Sequence, residues 1–210
     1  MLNLNSKIEN ILFDLGNVII NIDAELTKKA FINLGFTNFS DFYTLFSQVD
    51  VFNKFDTGKC EPSDFRDAIR RISPVALTDA QIDKAWCAML LNFPDENIAL
   101  LKNLRKRYKL YLLSNTNKIH IDYYYQYLQK EKGDPLIPSL FDQVFYSHEI
   151  GYRKPDAAAF EYVLKAANIS AENTLFIDDL LPNVEAARKV GLEAYHLAGG
   201  EKLYVALERR

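Results

Sequence analysis

The sequence predicts an α/β protein, a doubly wound parallel sheet with a helical cap inserted after the first strand. Three observations carry that expectation. Short aliphatic and aromatic runs without polar alternation recur along the chain, as strands buried on both faces require. From about residue 97 onward these runs alternate with helical patterns, the rhythm of a doubly wound domain. The first run is instead followed by about seventy-five residues without a convincing strand. The expected division is a core of residues 1–20 and 96–210 and a cap of residues 21–95.

In chain order, the first strand is Ile11-Leu12-Phe13. The cap then reads as helices over 24–34, 41–48, 63–72 and 79–91, with Ser63 and Asp79 at the N-cap places. A helix over 97–108 leads into the strand Leu110 to Leu113. Tyr123, Tyr124, Tyr125 and Tyr127 follow on a helix whose half-buried face accounts for so many rings. Val144 to Tyr146 is the third strand, followed by a helix over 157–167. Thr174 to Ile177 is the fourth, and its helix over 182–190 stops at Gly191. Ala194 to Leu197 closes the set. A helical insertion after the first strand is placed to cover the carboxyl ends of the strands, where open α/β sheets bind ligands.

Composition narrows the classes. The 210 residues suffice for a sizeable core, and the net charge of −3 offers no electrostatic footprint for nucleic acid. Cys60 and Cys87 have no metal-ligand spacing around them and read as free thiols of a reducing compartment. The N-terminus lacks the apolar stretch of a signal peptide, and no run approaches the ~20 residues of a membrane span. The expectation is a cytoplasmic monomer or weak homo-oligomer.

The chemistry lies where the strands end. The first strand runs into Asp14-Leu15-Gly16-Asn17 and the second into Ser114-Asn115-Thr116-Asn117. A loop after the third gives Arg153-Lys154-Pro155, and the fourth ends in Asp178-Asp179 with Asn183 beyond. Each cluster alone also suits an ordinary turn or cap. Parallel strands, however, bring all of them to one sheet edge. Three crowded carboxylates repel one another, so a hard divalent cation with oxygen ligands is the expected partner, and magnesium commonly bridges carboxylates to phosphate. Lys154 with Ser114 and Asn115 would hold the remaining phosphate oxygens. An aspartate facing a neutralised phosphate can attack phosphorus.

These residues resemble the motifs of the haloacid dehalogenase superfamily. Asp14-Leu15-Gly16-Asn17-Val18 is similar to its first motif and Ser114-Asn115 to its second. Lys154-Pro155 is similar to the third, and Asp178-Asp179 with Asn183 to the fourth. Together with Ser114-Asn115-Thr116-Asn117 and Arg153-Lys154-Pro155, the first motif most resembles the subgroup of bacterial α-glucose-1-phosphate phosphatases. The resemblance implies a Rossmann-like core and a magnesium-dependent phosphatase. It implies Asp14 as nucleophile and metal ligand, Gly16 as a ligand through its carbonyl, and Asp179 as a direct ligand, with Asp178 direct or through water. It assigns the phosphoryl group to Ser114, Asn115 and Lys154, with Gly16 and Asn17 in the phosphate loop, and gives Asn183 a supporting role.

One departure follows. The superfamily's phosphatases usually carry a second aspartate two residues after the nucleophile as general acid–base, a role worth ~10²- to 10⁴-fold. Here that position is Gly16. A good leaving group, such as the anomeric oxygen of a hexose 1-phosphate, would need little protonation. Asp23 or His120 could supply the proton instead. A third reading is a slow or inactive phosphate-binding protein with a regulatory or interaction role. Lys59, in the cap segment Phe55-Asp56-Thr57-Gly58-Lys59, could meet a second anionic group of a substrate. Trp86 reads as core packing, and His148 and His196 as structural. A dehalogenase would leave the metal set without a purpose, and a phosphomutase needs an acid–base residue at position 16.

Overall fold

The computed structural model describes residues 6–36 and 51–208, so the helix expected over 41–48 lies outside the described residues. Five strands form the sheet: β1 (Asn10–Phe13), β2 (Lys109–Ser114), β3 (Gln143–Tyr146), β4 (Thr174–Asp178) and β5 (Glu193–His196). Their order is β3-β2-β1-β4-β5 and every pairing is parallel. The chain builds outward from β1 on one side and then returns to its other side. The switch point therefore lies between β1 and β4, where ligands of such sheets bind. All four residues of β1 and all five of β4 are buried, which is why their sequences do not alternate.

The helices are α1 (Ala24–Asn33), α2 (Val51–Asp56), α3 (Pro62–Ile72), α4 (Asp79–Trp86), α5 (Asp95–Leu104) and α6 (Lys118–Lys132). After them come α7 (Ile137–Leu140), α8 (Ser147–Ile150), α9 (Ala157–Ala167), α10 (Leu181–Lys189) and α11 (Leu203–Glu208). Two starts differ from expectation. Pro62 opens α3, at the position where its missing N–H costs nothing, and the N-cap is Glu61, whose N–H donates to Asp64 Oδ2 at 3.0 Å. Ser63 therefore lies inside the first turn. Thr78, not Asp79, caps α4: its Oγ1 accepts from Gln81 N at 3.3 Å, and its N–H donates to Gln81 Oε1 at 2.9 Å. The last cap helix ends at Trp86, and 3₁₀ geometry continues over Cys87–Met89. Among the described residues no helix is long and apolar enough to cross a membrane.

The cap has an aromatic core of its own. Phe31, Phe55, Phe65, Ile69, Ile82 and Trp86 are buried together. Phe55 stacks on Phe65 with ring centroids 4.5 Å apart. Ile119, from the start of α6, joins this cluster, so the cap's packing continues into the sheet domain. Two linkers join the parts and pair with each other: Asn21 N donates to Asn92 O at 3.0 Å, and Leu91 N to Asn21 O at 3.1 Å.

The cap also meets the core at Gly58, whose φ of +65° is left-handed. A Cβ there would stand 2.1 Å from the main-chain oxygen of His148 in α8. Neither the backbone conformation nor the contact tolerates a side chain. Gly58→Ala is expected to cost about 2–4 kcal/mol, from left-handed strain and overlap together. At roughly 2–4 °C per kcal/mol for a chain of this size, melting should fall by several degrees. A variant that melts with the wild type in calorimetry would refute this close seating of the cap.

Candidate active site

The polar ends of β1, β2 and β4 and the loop after β3 converge. Pairing of Phe13 with Ile177 places Asp14 and Asp178 as the next residues on adjacent strands. Asp14 N donates to Ile177 O at 2.9 Å, which fixes the main chain of the first carboxylate. Lys154 sits between them. Its Nζ donates to Asp14 Oδ1 at 2.5 Å and to Asp178 Oδ2 at 2.7 Å, and its side chain is 1% exposed. Burial alone would push this ammonium toward neutrality, but the two carboxylates outweigh it and hold the lysine charged.

Asp14 is the strained partner. Burial pushes its carboxyl up from the usual 3.8 to about 7; Lys154 pulls it down, while Asp178 and Asp179 add to the rise. Burial also raises the Asp179 carboxyl, opposed by a hydrogen bond from Asn17 Nδ2 to Oδ2 at 3.2 Å. Carboxylate oxygens of Asp14, Asp178 and Asp179 all lie within 4.8 Å of one another. Buried oxygen donors that raise one another's proton affinity fit a hard divalent cation. Asp178 is the least free of the three. Its Oδ1 accepts from Leu180 N at 2.8 Å and Asn183 Nδ2 at 3.0 Å, and its Oδ2 from Asn183 Nδ2 at 3.0 Å and from Lys154. Asp178 therefore aims Lys154, whereas Asp14 and Asp179 retain oxygens for a cation. The end of β5 steadies this pair: Leu197 N donates to Asp178 O at 2.9 Å, and His196 Nε2 lies 3.0 Å from Asp179 O.

Ser114 and Asn115 divide their work. The Ser114 hydroxyl is nearly buried at the end of β2 and has no side-chain partner among the described residues. The Asn115 side chain is already engaged. Its Oδ1 accepts from Lys154 N at 2.8 Å and its Nδ2 donates to Lys154 O at 2.7 Å. That stitch joins the loops after β2 and β3. The stitch fixes the orientation of the Asn115 amide and leaves the second hydrogen of its Nδ2 for a phosphoryl oxygen.

His120 also departs from expectation. Its ring stacks on Trp86 with centroids 4.9 Å apart, Nε2 lies 3.1 Å from Trp86 O, and Nδ1 lies 3.4 Å from Asn117 Nδ2. Burial pushes it down to about 4, against the pull of the Trp86 carbonyl, so it is neutral at pH 7 and its nitrogens are spent. It packs the cap junction and does not serve as substrate contact or proton donor. Asp23 is exposed and caps α1, accepting from Glu25 N at 3.0 Å. Lys59 lines a cleft of about 590 Å³ with Lys54, Arg153 and Lys154. A second cleft, of about 810 Å³, opens beside Asn17 and Asp179.

Gly16 lies against the cap linker. A Cβ at Gly16 would stand 3.0 Å from Ile22 Cδ1. The terminal methyl of Ile22, the flexible tip of a cap-linker side chain, crowds this position and must give by a few tenths of an ångström to admit a side chain. Asn17, with φ of +56°, holds this turn: its Oδ1 accepts from Ile22 N at 3.3 Å. Two participants escaped the sequence reading, Ile22 and Asn117. Asn117 caps α6, accepting from His120 N at 3.1 Å, and an asparagine directly before a helical pattern was the available signal. Ile22 carries no such signal.

Residues 8–191 match the family model of haloacid dehalogenase-like hydrolases. The chain is 28% identical over 193 residues to a D-ribitol-5-phosphate phosphatase of Bacteroides thetaiotaomicron, covering 92% of this chain and 93% of that one. It also superposes on a crystal structure of a HAD-family enzyme of the same organism in complex with magnesium. The TM-score there is 0.88 at 32% identity, with 98% of this chain and 100% of the other covered. A wild-type complex of that enzyme with magnesium and inorganic phosphate gives a TM-score of 0.81 at 34% identity, covering 90% and 93%.

Proposed function

The chain belongs to the haloacid dehalogenase-like hydrolases, and from that premise we propose that it is a magnesium-dependent phosphomonoesterase of a small sugar or polyol phosphate. The observation that carries the reading is the Lys154 ammonium held between Asp14 and Asp178 beside Asp179. This pairing neutralises the nucleophile's surroundings without removing its free oxygen. The similarity to a D-ribitol-5-phosphate phosphatase supports the substrate class. We assign residues 1–20 and 96–210 to the catalytic core and 21–95 to the cap.

Asp14, Asp179 and the Gly16 carbonyl would hold the magnesium ion, which when bound offsets phosphate charge. The free oxygen of Asp14 attacks phosphorus as the bond to the leaving oxygen breaks, giving an aspartyl-phosphate and an alkoxide. Lys154 and the Ser114 hydroxyl stabilise the charge that spreads over the transferring oxygens. Water then cleaves the acyl phosphate, releasing phosphate and regenerating Asp14. No carboxyl from position 16 protonates the departing oxygen, and the tip of Ile22 lies against that position. Substrates with acidic leaving groups, hexose 1-phosphates among them, should therefore react best.

A panel of esters with magnesium tests this, run beside Asp14→Asn. It should contain hexose 1-phosphates, hexose 6-phosphates and ribitol 5-phosphate. Turnover is expected for the wild type alone, fastest with 1-phosphates. Equal rates in both proteins would remove Asp14 from the mechanism. Faster hydrolysis of ribitol 5-phosphate than of any 1-phosphate would refute the leaving-group argument. Phosphate binding without turnover of any ester would favour a regulatory or interaction role instead.

Magnesium binding should also depend on pH. In the metal-free protein Asp14 keeps its proton up to about pH 7, and a cation must displace that proton. Apparent affinity is expected to rise about tenfold per pH step below 7 and to level off above it. Calorimetric titrations at pH 6, 7 and 8 that give one affinity would contradict this.

A further inference from the structure

Resting on the phosphomonoesterase reading, we propose that Asp56 of the cap is a positioning residue that locks the two phosphate-gripping loops of the core together when the cap is seated. Asp56 ends α2, within the Phe55-Asp56-Thr57-Gly58-Lys59 segment, and its side chain is 21% exposed. It faces two core residues. Asn117 Nδ2 donates to Asp56 Oδ1 at 3.3 Å, and Arg153 NH2 lies 3.9 Å from Asp56 Oδ2. Arg153 NH1 also donates to Asn53 Oδ1 of the same cap helix.

The placement of these two partners gives the contact its meaning. Asn117 lies two residues beyond Asn115, and Arg153 is the residue before Lys154. Asn115 and Lys154 are themselves stitched by two hydrogen bonds of 2.7 and 2.8 Å. A closed ring results, running from Asp56 to Asn117, back along the chain to Asn115, across to Lys154, and through Arg153 to Asp56. One cap carboxylate thus touches both ends of the segment pair that carries Ser114 and Lys154. The Arg153 guanidinium engages this corner through its two terminal nitrogens, one on Asn53 and one facing Asp56. Gly58, two residues beyond Asp56, lets the turn approach His148 closely enough for the carboxylate to reach.

If the cap swings away, Asp56 leaves and the ring opens at Arg153 and Asn117. Lys154 Nζ keeps Asp14 and Asp178, but its loop loses the tie that sets its approach to phosphate. Cap seating then acts on kcat, not only on substrate affinity. Asp56 touches no reacting atom; it acts through Arg153 and Asn117.

The test uses the full chain with magnesium and p-nitrophenyl phosphate as probe. Asp56→Ala and Arg153→Ala are each expected to lower kcat about 10- to 100-fold, the usual range for residues supporting a site from one layer out. The double variant should lose no more than the worse single one, because both break one tie. Asp56→Asn keeps a group that can accept from Asn117 and should fall between wild type and Asp56→Ala. Melting temperatures should stay within about 5 °C of wild type. A merely structural role predicts lowered melting with kcat intact. That result, or additive losses in the double variant, overturns the proposal. Titration with orthophosphate separates the two readings. If wild type hydrolyses nothing, the phosphomonoesterase reading falls. Asp56→Ala must then still bind orthophosphate about tenfold more weakly, and equal affinity overturns the lock.

Discussion

Asp14→Asn should lose about 10⁴-fold or more in kcat and, in the absence of metal, melt at a higher temperature than the wild type. The first effect removes the attacking oxygen. The second comes from the same burial that prepares it. The Asp14 carboxyl is raised from 3.8 in ordinary surroundings to about 7 in the fold. A carboxyl whose folded value is raised favours the folded state when protonated. Its ionisation therefore withdraws stability as pH climbs from about 4 through about 7, up to ~4 kcal/mol at full ionisation. Asparagine carries no such cost. At pH 8 in a chelator the variant should melt roughly 8–16 °C above wild type. At pH 4 the two should nearly coincide. Calorimetry across that range decides it, and a variant less stable at pH 8 would refute the account. Magnesium should narrow the gap by stabilising the wild type.

Lys154→Met should damage both stability and turnover. The lysine side chain is 1% exposed and its Nζ contacts two carboxylates. Methionine fills the volume but leaves Asp14, Asp178 and Asp179 without their cation. Removing one partner of a buried ion pair costs about 3–5 kcal/mol. Turnover should fall about 10³-fold or more, since the phosphoryl charge loses a fixed donor as well. The stability loss has a direction in pH. Without the ammonium the carboxyls take up protons more readily in the fold. The variant should therefore be closest to wild type near pH 5 and fall away as pH rises toward 8. Magnesium should recover part of the loss by supplying positive charge to the same oxygens. Melting curves at pH 5 and pH 8, with magnesium and with chelator, check each part. A pH-independent deficit would point to packing and not charge.

The sheet was legible because its strands are buried on both faces. Ile11 to Phe13 and Thr174 to Ile177 read as strands of a parallel core, and each ran into its acid. Strand order was not legible, because it depends on pairings such as Phe13 with Ile177, far apart in the chain. Within the site, residue type misled where a side chain had two possible uses. Asn115 has a second use that its residue type did not reveal, a stitch to the Lys154 backbone. His120 could carry a proton or stack on Trp86, and burial chose stacking. Helix starts misled for a local reason. The Thr78–Gln81 capping box was present in the sequence, one residue before the cap expected at Asp79.

The contact between Gly16 and Ile22 carries a consequence for how the chain can change over evolutionary time. An ancestor or descendant with aspartate at position 16 would need Ile22 to yield, since even a bare Cβ stands 3.0 Å from its terminal methyl. Ile22 in turn belongs to the linker that bridges to Leu90, so a shift there is felt where the cap joins the core. The two positions are thereby coupled: a side chain at 16 draws on the freedom of the Ile22 tip to shift by a few tenths of an ångström.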